Sequence, residues 1–174
     1  SKIDEVFAMA QYGSAHSPPE LIPEGNTAVF IVGNSRGGGL HALLWVQRMF
    51  PNHFQNFVFM NARTVDSKAY GGREALEAMR VDASVSLNYF VNFCRSHGLR
   101  AKSYLSFGTD AVEELTNLAK VVAENHPNAI FFTSKLVFEN ENILTRLLHN
   151  QAALELQRRL HSAGQQMVIL PMRL

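Results

Sequence analysis

Short apolar runs rich in β-branched and aromatic residues alternate along this chain with longer stretches whose apolar residues recur every third or fourth position. The first pattern predicts strands at about Ala28–Val32, Asn56–Ala62, Arg100–Phe107, Ala129–Thr133 and Gln166–Met172. The second predicts helices at about Gly39–Phe50, Gly72–His97, from Gly108-Thr109-Asp110 to the break at Pro127, and at Asn142–Ala163. The punctuation agrees with this division. Gly98 stands where a left-handed C-cap belongs, and Gly164 follows the last helix in the same way. Asp110 followed by Glu113 has capping-box spacing, after which Val112, Leu115, Leu118, Ala119 and Val122 form one apolar face. Residues 1–26 show neither period and carry Ser14, Ser17, Pro18, Pro19, Pro23 and Gly25, so they read as a linker or N-terminal arm before a single domain over 27–174.

Five strands separated by four helices require a parallel sheet, because parallel neighbours need crossovers of about a dozen residues. Right-handed crossovers then place helices on both faces. The expected fold class is α/β: a five-stranded parallel sheet with helices on both faces, in the order 3-2-1-4-5. In that order the chain reverses its direction of travel between the first and fourth strands. The loop Gly33–Gly39 falls beside the residues after Thr133, and a ligand site is expected there.

That loop carries the candidate chemistry. Gly33, Asn34, Ser35, Arg36, Gly37, Gly38, Gly39 and His41 follow an apolar strand and open a helix. Glycines let a backbone approach an anion, a helix start offers unpaired N–H groups, and Ser35, Arg36 and His41 add hydrogen bonds or charge. Neither phosphate-binding fingerprint is met: Ser35 occupies the second glycine position of G-x-G-x-x-G, and no Gly-Lys-Ser/Thr follows. The plainer alternative is a tight turn whose glycines serve packing and left-handed backbone. Gly33-Asn34-Ser35-Arg36-Gly37 also matches the G-x-S-x-G nucleophile elbow. A triad is not expected, since His149 and His161 fall inside the predicted fourth helix instead of on a late loop. No catalytic residue is assigned.

Composition narrows the function classes. In 174 residues, 16 Lys and Arg stand against 15 Asp and Glu, a net charge of +1, and no basic stripe points to nucleic acid. Arg158-Arg159 reads as part of a solvated helix face. The single cysteine, Cys94, sits in a helical pattern beside Phe93, reads as a small core residue and excludes an intrachain disulfide. The seven histidines form no i, i+4 pair and no H-E-x-x-H, so no metal site is expected. His97 and His126 lie near helix ends, where a cationic ring favours the dipole. No apolar run reaches membrane-spanning length, and no signal peptide opens the chain. An opening Ser1-Lys2 without methionine reads as a piece of a longer protein.

Several strings carry a resemblance: HALLWVQRMFPNHFQNFVF (41–59), YGGREALE (70–77), VNFCRSHGL (91–99), IFFTSKLVFENE (130–141), LTRLLHNQAALELQRRLH (144–161) and QMVILPM (166–172). The element order resembles the universal stress protein-like fold. The strings are similar to the cytosolic C-terminal domain of bacterial permeases of the amino acid–polyamine–organocation superfamily. The resemblance implies a non-catalytic accessory or regulatory domain on the cytoplasmic face of the inner membrane, whose partner is the membrane-spanning permease core of the same polypeptide. ATP-binding stress proteins carry Gly-x2-Gly and a later Gly-Ser/Thr after strand four. Here no glycine occurs between Gly108 and Gly164, so no cofactor is expected, and a small anionic ligand at Gly33–His41 is the alternative function. Strand five is apolar and nearly terminal, which predicts a sheet edge. Met167, Val168, Ile169 and Leu170 would then pair with a second copy in a homodimer, interrupted near its end by Pro171.

Overall fold

The computed structural model describes residues 19–33, 36–65, 71–134 and 143–170, and for 143–150 it describes the backbone alone. Its elements follow in strict alternation: β1 (Thr27–Ile31), α1 (Arg36–Met49), β2 (Asn56–Thr64), α2 (Gly72–Ser96), β3 (Arg100–Gly108), α3 (Ala111–Asn125), β4 (Ala129–Ser134), α4 (Ile143–Ser162) and β5 (Gln166–Leu170). All five strands are parallel, in the order β3-β2-β1-β4-β5. This is the α/β architecture that the hydrophobic pattern predicts.

Every residue of β1 is buried, as a central strand covered on both faces must be. Alternate residues face opposite ways and split the core in two. On one side Phe30, Phe59 and Phe132 meet Leu43 and Val46 of α1 and Leu87, Phe90 and Cys94 of α2. On the other, Val29, Ile31, Met60 and Phe131 meet Leu115, Ala119 and Val122 of α3 and Leu156 and Leu160 of α4. The first layer is held by a stack of rings. Phe30 lies 5.3 Å from Phe59 and 5.7 Å from Phe132, and Phe59 lies 5.1 Å from Phe90.

The caps form as the local residues dictate. Gly98 and Gly164 adopt φ of 74° and 83°. After Gly98 the Leu99 N–H reaches back to the Cys94 carbonyl at 2.9 Å, and Gln165 reaches Leu160 at the same distance, so both helices end in Schellman motifs. Asp110 accepts the N–H of Glu113 at 3.0 Å. At the amino-terminal edge of the sheet, buried Asn56 clamps the chain that leads into β1. Its side chain accepts from Ile22 N–H at 2.8 Å, donates to the Ile22 carbonyl at 2.7 Å and donates to Thr27 Oγ at 3.0 Å.

Candidate functional site

β1 and β4 lie side by side, and the helices after them leave on opposite faces, which makes their carboxyl ends the switch point where doubly wound sheets take ligands. Of the residues predicted to form a site there, Asn34 and Ser35 lie outside the described residues, as do the segment 135–142 after β4 and Pro171 and Met172 beyond β5. The remainder are placed as follows. Gly33 is half-buried after β1, Arg36 and Gly37 are exposed in the first turn of α1, Gly38 and Gly39 are buried in that turn, and His41 is exposed.

Two expectations change. The helix starts at Arg36, three residues before the predicted Gly39, so Gly37–Gly39 are helical and not a left-handed turn. Close packing accounts for Gly39: a Cβ there would stand 2.5 Å from two ring carbons of Phe90 and 3.2 Å from Val32 Cγ1. Arg36 and His41 are also not brought together, because five residues of helix turn them about 140° apart. Arg36 instead lies over the Tyr89 ring of α2, with its guanidinium carbon 4.8 Å from the ring centre.

The sheet brings other polar residues to this edge. Ile31 is in register with Met60 and Thr133, and the next row therefore sets Val32 between Asn61 of β2 and Ser134 of β4. Asn61 and Ser134 follow Phe59 and Phe132 by two positions, so they share the α1/α2 face. Arg63 follows on the same face of β2. Asn61 is 5 % exposed and Ser134 2 %. Among the described residues, Asn61 Nδ2, Arg63 Nε and Ser134 Oγ are buried without a hydrogen-bond partner. Arg63 does approach Asp82 of α2, Nη2 to Oδ2 at 3.4 Å, but that carboxylate side chain is 71 % exposed and the pair contributes little.

The fourth such atom is His126 Nδ1, at the end of α3 on the other face. His126 Nε2 meets Tyr104 Oη at 3.0 Å, and Asn125 Nδ2 donates to the same Oη at 3.3 Å. Burial, and then the Lys102 ammonium, hold the imidazole below its ordinary pKa. His126 is therefore a buried ring that resists protonation, not the cation expected near a helix end. Cys94 is buried and its thiol is pushed up to about 12 by desolvation, so it is inert as the sequence predicts. Arg158 and Arg159 lie on the outer face of α4, both paired with Glu155, and line an open groove with Asp110 and Gln151. Among the described residues no cluster of His, Cys, Asp and Glu could hold a metal, and no helix is long and apolar enough to cross a membrane.

Among the described residues β5 is the sheet edge that the sequence predicts, hydrogen-bonded to β4 alone. Met167 and Leu170 are buried, Ile169 is half-buried, and Val168 is 38 % exposed. The Met167 carbonyl accepts a 2.9 Å bond from Gln157 Nε2 of α4, so a side chain already occupies one edge acceptor.

Sequence reading missed Asn61, Arg63 and Ser134. The available signal was a polar residue at a core-facing parity in otherwise apolar strands, visible only once the face of each strand is known. The fold defines the class as a doubly wound parallel α/β domain with polar groups at its switch point. No family model matches the sequence, and no curated protein matches it.

Proposed function

We propose that this chain is the cytosolic, non-catalytic accessory domain of a bacterial amino acid permease, on the cytoplasmic face of the inner membrane. It acts by docking to the membrane-spanning core of the same polypeptide and by pairing with a second copy of itself through β5. The first part is supported by the resemblance of the strings between residues 41 and 172 together with the stress protein-like order of elements.

The observation that carries the pairing is the β5 edge. Among the described residues it bonds to one neighbour only, and it presents Val168, 38 % exposed, in register with Phe132, which is 2 % exposed. An apolar edge of this kind is a template for another strand. Self-pairing exchanges the Gln157–Met167 bond for ladder bonds and covers Val168. Light scattering from micromolar to hundred-micromolar concentration tests this. A dimer that Val168→Lys returns to monomer is expected, and a monomer at every concentration overturns the pairing. Permease attachment is tested by immunoblotting the source cells with an antibody to this domain. Antigen in the membrane fraction, on a chain longer than this one, is expected; a short soluble antigen overturns it.

A further inference from the structure

We propose that the carboxyl edge of the sheet, on the α1/α2 side, binds a compact oxyanion of the phosphate class through Asn61, Arg63 and Arg36. This is independent of the β5 pairing and of attachment to a permease. It begins from the distribution of unmet polar atoms: three of the four found among the described residues lie on this one face, at this one edge. A buried polar group without a partner is costly, and a cluster of them at a switch point has an explanation when a ligand supplies the partners.

The chemistry of the atoms selects the ligand. Asn61 Nδ2 and Arg63 Nε are both donors, two residues apart on one side of β2, about 7 Å along the strand. The guanidinium stays charged and offers no acceptor, so whatever satisfies it must bring lone pairs. That excludes a cation. Ser134 Oγ, across Val32, either donates or accepts.

Charge points the same way. Arg36 leans on Tyr89 and Arg63 on Asp82, both in α2 and seven residues apart, about 10 Å along that helix. Two guanidiniums thus flank the edge, and among the described residues the only carboxylate drawn to either is the exposed Asp82. The 14-residue helix α1 adds the positive end of its dipole, since it starts at Arg36. The ligand is compact because the floor beneath the first turn of α1 is closed: Phe90 and Val32 leave no room for even a Cβ at Gly39. Multiple oxygens on one small, doubly charged centre match separated, fork-shaped donors best.

The test is thermal unfolding of the purified chain with inorganic phosphate, with acetate as the carboxylate arm and sodium chloride at matched ionic strength. Phosphate is expected to raise Tm by several degrees beyond both controls. Arg36→Gln, an exposed position whose folding is not at issue, and Arg63→Gln are expected to lose that rise, while Arg48→Gln at the far end of α1 keeps it. Asn61→Leu gives a second readout. It removes an unmet buried donor, so without phosphate it is expected to melt higher than the wild type, and with phosphate it is expected to show no response. No phosphate-specific rise overturns the proposal, as does a rise that Arg36→Gln and Arg63→Gln both retain. An acetate response equal to or larger than that to phosphate overturns the assigned ligand class.

Discussion

Replacing Gly39 by alanine sets two known effects against each other, and the geometry decides between them. In a helix interior alanine is favoured over glycine by about 1 kcal/mol. At Gly39 the new methyl would lie 2.5 Å from Phe90 Cε1 and Cζ and 3.2 Å from Val32 Cγ1. Carbon atoms pack at about 3.5–4.0 Å, so the ring must retreat by roughly 1 Å. It has nowhere to go. Phe90 is fully buried and stacks on Phe59 at 5.1 Å and 9°, and Phe59 in turn stacks on Phe30 in the central strand. Overpacking of this kind costs about 1–3 kcal/mol, and more where the neighbours are rigid. The expected net result is a loss of about 1–2 kcal/mol, which for a domain of this size lowers Tm by several degrees. Urea unfolding followed by circular dichroism measures it. Shortening the ring in the double variant Gly39→Ala/Phe90→Leu is expected to cost less than the sum of the two single changes, because the clash is then gone. A Gly39→Ala protein as stable as the wild type or more so, or strictly additive single changes, would refute the packing account of this glycine.

Two further outcomes follow from the buried polar groups. Asn56→Ala removes two hydrogen bonds to Ile22 and one to Thr27, and is expected to cost about 2–4 kcal/mol in urea unfolding and to expose the segment before β1 to limited proteolysis. His126 is held below its ordinary value of 6.5 by burial and by Lys102, so the unfolded chain takes up this proton before the folded one does. The stability it contributes is fully present above about pH 6.5 and is lost as the pH falls from there toward the folded value. His126→Gln, which keeps a polar partner opposite Tyr104, is expected to flatten the stability profile below about pH 6.5.

Much of the fold was legible because its signals are local. The glycines at 98 and 164 end helices as their lack of a Cβ allows, and Asp110 caps α3 with the spacing that its sequence displays. The start of α1 was misread by three residues, because glycine is a poor helix former and Gly37–Gly39 resemble a turn. What overrides propensity there is the seat that Gly39 has against Phe90, fifty-one residues away in sequence. His126 was misread for a related reason: its place at a helix end is local, but its burial against Tyr104 comes from β3.

The candidate site divides along the same line. Arg36 was found from its position at the start of a helix, and it lies against α2 over the Tyr89 ring. His41 looked equivalent in the string and is turned away by the helix that contains it. Asn61, Arg63 and Ser134 come from the ends of two strands separated by β1, and nothing in NFVFMNART or AIFFTS states that these residues share an edge. The alternation of apolar runs and helical periods determined the elements, their parallel pairing and the α/β class, since each depends on residues a few positions apart. Which polar atoms lack partners, and that three of the four found among the described residues share one face at one edge, was decided only by the tertiary structure. Burial and register are properties of strands brought together across the chain, and the free energy of an unmet donor exists only after the water around it has been removed.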